Sequence, residues 1–70
     1  MKIVFTEHAM DRIRRRKILE QEVFDAVHFP DMIIKRFGKY NYTKKLARGT
    51  IEVICAQTET HIKVVTICWV

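Results

Sequence analysis

Thr50–Val70, TIEVICAQTETHIKVVTICWV, is the stretch from which the fold is read. Ile51, Val53, Ile54 and Cys55, then Ile62, Val64, Val65, Ile67 and Trp69, form two short runs that are apolar at nearly every position. β-branched and aromatic side chains at this density suit a pleated strand, and Thr58 to Thr60 between them supplies the turn. The two strands should form an antiparallel hairpin turning near Glu59 and Thr60. Being apolar on both sides, they are expected to be central in a sheet or covered on both faces. In that register Cys55 falls near Val64 rather than Cys68, which disfavours a disulfide.

Upstream, the strand pattern begins at Asp31. DMIIKRF, a turn at Gly38 and Lys39, YNYTKKLA, and a turn at Arg48 and Gly49 lead into the hairpin, giving four strands in sequence. Short turns between sequential strands make an antiparallel meander, and Lys44 and Lys45 place its second strand nearer solvent. Before Pro30 the period is helical. Glu20 to His28 sets Val23, Phe24 and Val27 on one face, although Leu19 stands where a polar cap is expected. Thr6 to Ile18, TEHAMDRIRRRKI, predicts a first helix with Thr6 as N-cap and Ala9, Met10, Ile13 and the stem of Lys17 as its buried stripe. Lys2 to Phe5 reads as a short edge strand or an extended lead-in. The expected architecture is therefore one α+β domain over residues 1–70: two N-terminal helices packed on a four-stranded antiparallel β-meander, with room for a short N-terminal strand.

Seventy residues bury only roughly 60% of the surface of the unfolded chain, so any site must lie on the outside of one small core or in a shallow groove. A composition 49% hydrophobic with two glycines and one proline excludes disorder and a loop-rich miniprotein. The net charge is +5 and unevenly spread. Positions 1–18 hold six Lys/Arg against two acids, positions 31–48 hold six against Asp31 alone, and positions 19–30 hold three acids and no Lys or Arg. Such a surface suits a polyanion first and an acidic protein second, with solubility as the plain alternative. Met1 to Phe5 is too short for the apolar core of a secretion signal, and no apolar run approaches the ~18 residues that span a bilayer. A cytoplasmic location without membrane contact is expected, with Cys55 and Cys68 reduced. His28 and His61 lack partners at ligand spacing and neither cysteine sits in a CxxC or CxxH pattern, so no metal or cofactor is expected.

The chemistry concentrates in the first helix. His8 and Arg12 are four residues apart, hence stacked on one helix face, and Arg16 continues the row; Arg15 flanks it and Arg14 points elsewhere. An imidazole ordinarily titrates near neutral pH, and guanidinium groups stay charged and bind phosphate oxygens. The row therefore suits binding a phosphodiester and moving a proton on it. The alternative is a solvated face whose cations offset the helix dipole.

His8, Ala9, Arg12, Arg16 and Ile18, followed by an acidic second helix, the Pro30-Asp31 pair and the ending VVTICWV with Thr66 and Trp69, resemble the domain of unknown function 4258 family (DUF4258). That family looks related to the RelE-like and barnase-like small ribonucleases, many of them toxins of toxin–antitoxin pairs. The resemblance implies their fold and, more loosely, a metal-independent ribonuclease ancestry, with RNA as substrate and an acidic antitoxin as partner. Under it His8 would exchange the proton and Arg12 and Arg16 would neutralise the phosphorane. Arg15, Lys44, Lys45 and Arg48 would hold the RNA backbone, with Thr66 beside the row if the last strand lies there, and Tyr40 or Tyr42 would stack a base. Leu19 departs from the family's polar cap, and the run Arg14 to Arg16 leaves open which arginine takes the second position. A non-catalytic RNA-binding or protein-interaction domain, or a homodimer formed through the apolar last strand, remains the alternative.

Overall fold

The structure, a computed structural model, describes residues 2–70; Met1, which opens the segment considered above as a secretion signal, lies outside them. In chain order the elements are β1 (Lys2–Phe5), α1 (Glu7–Arg15), α2 (Glu20–His28), β2 (Met32–Arg36), β3 (Lys39–Leu46), β4 (Gly49–Gln57) and β5 (His61–Trp69). The sheet runs β1-β5-β4-β3-β2. β2 to β5 form the expected antiparallel meander. The sheet has five strands, however, and is mixed: β1 joins β5 in parallel, with Ile3 opposite Ile62 and Phe5 opposite Val64. The expected four-stranded, wholly antiparallel sheet is corrected on both counts. A four-residue segment has too little pattern to name a partner some sixty positions away.

Cys55 lies opposite Val64 as the hairpin register required, and both cysteines are free. Burial pushes the Cys55 thiol up to about 12. β4 and β5 are central, yet only one of their faces is covered. Ile51, Val53 and Cys55 are fully buried, whereas the alternating Glu52, Ile54 and Ala56 are only partly so. On β5 a bulge corrects the spacing. Ile54 faces Thr66 and Cys55 faces Val64, so Val65 is the extra residue, and Val64 and Ile67 both turn into the core. There they meet Ala9, Ile13, Ile18, Val23, Ala26 and Val27. Fully burying one such branched side chain stabilises by roughly 1.5–3 kcal/mol, so this single layer of contacts carries most of the fold.

α1 begins as expected, with Thr6 Oγ1 accepting from Ala9 N at 3.0 Å. It ends at Arg15 rather than Ile18. Lys17 takes a left-handed φ of 53°, its N–H donates to Arg14 O, and Ile18 N donates to Ile13 O at 3.0 Å. This closure, usually built on glycine, turns the chain so that Ile18 is buried and Lys17 exposed. The expected helix over Arg16 to Ile18 and the buried Lys17 stem are thereby corrected. At α2, Leu19 offers no side-chain cap; Glu22 Oε1 accepts from Leu19 N at 2.9 Å and supplies half of a capping box.

Candidate cationic site along the first helix

β1 covers the outer edge of β5 only from His61 to Val64. Beyond that point α1 and its flanking residues take over. Thr6 N donates to Val64 O at 3.1 Å, Thr6 Oγ1 donates to Val65 O at 3.2 Å, and Arg16 Nη1 donates to Ile67 O. Trp69 Nε1 returns a bond to Arg16 O at 2.9 Å. Arg16 is therefore held on the last strand by long-range contacts, although it lies beyond the helix that was expected to carry it.

His8 is exposed, and Arg12 Nε donates to its Nε2 at 3.3 Å, an i,i+4 contact. Accepting that bond uses the lone pair on Nε2. The bond uses Nε of Arg12 and not its two terminal nitrogens. Arg16 stands at the border of the uncovered sheet face: its charge reaches Cys68, where it opposes the upward push of burial and of Glu52 on the thiol. Thr66 shares that face, opposite Ile54. So the structure brings His8 against Arg12 and continues the row through Arg16 toward the strand that bears Thr66. Glu52, whose Oε1 is 3.9 Å from Cys68 Sγ, lies on the same face. Sequence reading passed over it because only the β4–β5 register shows which side of the sheet it occupies.

The remaining candidates are placed otherwise. Arg15 pairs with Asp11 at 3.0 Å on the exposed side of α1. Lys44 and Lys45 belong to β3, two strands from β5. Lys44 Nζ donates to Phe29 O at 2.8 Å, while Lys45 is tied by its backbone N–H to Asp31 and keeps an exposed side chain. Arg48 grips Glu22 through two nitrogens at 3.0 and 2.6 Å, donates to Lys17 O at 2.7 Å and lies 5.1 Å from the Trp69 ring centre. It braces the ends of α1, β5 and the start of α2, and holds the Glu22 carboxyl below its ordinary range. Tyr42 is buried and stacks on Tyr40 at 6.3 Å, which closes it to a base.

Among the described residues no cluster of three His, Cys, Asp or Glu side chains could hold a metal ion, and no helix is long and apolar enough to cross a membrane. No curated protein and no solved structure matches the chain. A family model does match, over residues 5–69, which takes in α1, both ends of the His8–Arg16 row and the whole meander, and the chain belongs to that family, the domain of unknown function DUF4258.

Proposed function

We propose that the protein is a metal-independent endoribonuclease of toxin type, cleaving RNA at the His8, Arg12 and Arg16 row. The observation that carries this reading is the exposed imidazole of His8 in contact with the Arg12 guanidinium. A phosphodiester drawing the Arg12 guanidinium onto its oxygens would free the lone pair on His8 Nε2 at the moment substrate arrives. The 2′-hydroxyl proton then passes to Nε2, the 2′-oxygen bonds to phosphorus, and the bond to the 5′-oxygen breaks to leave a cyclic phosphate. The departing oxygen takes its proton from solvent. Arg12 and the free nitrogens of the Arg16 guanidinium stabilise charge on the phosphorane. An acidic antitoxin that covers the positive surface belongs to the same reading.

Incubating the protein with mixed RNA in EDTA tests it. Cleavage should fall by roughly 10²- to 10⁴-fold in His8→Ala. Equal cleavage by wild type and this variant would remove the histidine mechanism. One observation favours a second reading, a non-catalytic RNA or protein binder: Arg16 already donates to Ile67 O, which commits part of the guanidinium that would stabilise the phosphorane. Steep loss of RNA affinity with salt, without cleavage, would select it, and a flat dependence would point to a protein partner.

A further inference from the structure

β2 is an edge strand in which all five residues are exposed. Met32, Ile33 and Ile34 are 56, 53 and 37% exposed, and they occupy both faces of the strand. Edge strands are normally blunted by shortness, by charges such as lysine, by a bulge or by a proline. Pro30 and Asp31 precede β2 and Lys35 and Arg36 end it, but Met32 to Ile34 has no such device.

The turn that follows is the second anomaly. Phe37 and Gly38 form a two-residue loop between paired Arg36 and Lys39, with φ of 52° and 76°. A turn with two positive φ values favours Asn-Gly, and a phenylalanine there carries a backbone cost. Its ring is 95% exposed, so nothing inside the chain offsets that cost.

Charge says what would cover this edge. Between Met32 and Leu46 there are five cations and no acid. A second copy pairing through β2 would set five cations against five, whereas an acidic segment would be drawn in. We infer that β2 is a docking edge that takes an extended acidic segment of a partner protein as a sixth strand. The segment's backbone completes the ladder, its apolar side chains lie beside Met32 and Ile34 on one face, and its carboxylates fall on the other face with Lys35. Phe37 adds apolar surface, and Arg36 and Lys39 positive charge, at the hairpin end. This rests on β2 alone and stands whether or not His8 cleaves RNA.

The probe is a synthetic ten-residue peptide of alternating valine and glutamate, titrated into ¹⁵N-labelled protein at low salt, with a valine–lysine peptide as control. Saturable amide shifts confined to residues 32–46 are expected, at least tenfold weaker in Ile34→Lys and in Phe37→Asn, and unchanged in His8→Ala. Phe37→Asn suits the turn better than the native residue, so its loss of binding cannot be blamed on misfolding. No shifts at β2, equal shifts with the lysine peptide, or shifts centred on α1 would overturn the inference. So would a concentration-dependent dimer in sedimentation that Ile34→Lys abolishes, since the edge would then belong to a second copy.

Discussion

The two sides of this sheet are finished in opposite ways. On the β5 side the strand's outer carbonyls are met by Thr6 and Arg16, and Trp69 locks the arginine's own carbonyl, so backbone polarity and apolar burial are satisfied together. On the β2 side Met32, Ile33 and Ile34 stand in solvent beside a strained, fully exposed Phe37. The contrast teaches what finishing an edge requires. On the β5 side, side chains that flank α1 reach the strand's carbonyls, and this holds Arg16 still; on the β2 side no element among the described residues reaches across, and the strand keeps its outer backbone open.

Matched substitutions on the two sides probe this contrast most strongly. Ile67→Ala should destabilise by about 3 kcal/mol, a large share of the roughly 4–10 kcal/mol available to a domain of this size. The same change at Ile33 should stay below about 1 kcal/mol, because the side chain is already half in water. Urea unfolding compares them, and equal losses would mean that β2 is not an open edge. Next in size, Thr6→Val removes both the helix cap and the bond to Val65 O, with an expected loss of about 1–2 kcal/mol. No loss would show that α1 does not depend on its anchorage to β5.

Two changes should stabilise. Lys17→Gly and Phe37→Asn each relieve a side chain at positive φ, one on either side of the molecule, by about 0.5–1 kcal/mol in thermal melts. The smallest effect concerns Glu22. Arg48 holds its carboxyl below the ordinary range, so the pair's contribution is full above the unfolded carboxylate's value and is lost as pH falls through the folded one. Glu22→Gln should lower stability slightly in the neutral region, flatten that acid limb of the stability profile and leave the most acid region nearly unchanged; an unaltered acid limb would count against the brace.

Much of this was legible along the chain. The apolar run of Ile51, Val53, Ile54 and Cys55 gave β4, the turn residues gave the Cys55–Val64 register, and the i,i+4 spacing gave the contact of His8 with Arg12. These are relations between near neighbours, and strand and helix periods express them directly. Arg48 shows the limit. Read as a phosphate contact because of its charge, it is taken up by Glu22 and Lys17, whose approach no spacing announces.

Local periodicity was thus enough for the two helices, the meander and the composition of the cationic row. It took chain closure to set β1 in parallel on β5, to end α1 at Arg15, to hang Arg16 on Ile67 and to leave β2 bare. The physical reason is that side-chain period depends on a residue and its neighbours a turn away, whereas which carbonyl lacks a partner, and which cation reaches it, depends on segments fifty residues apart meeting in one place.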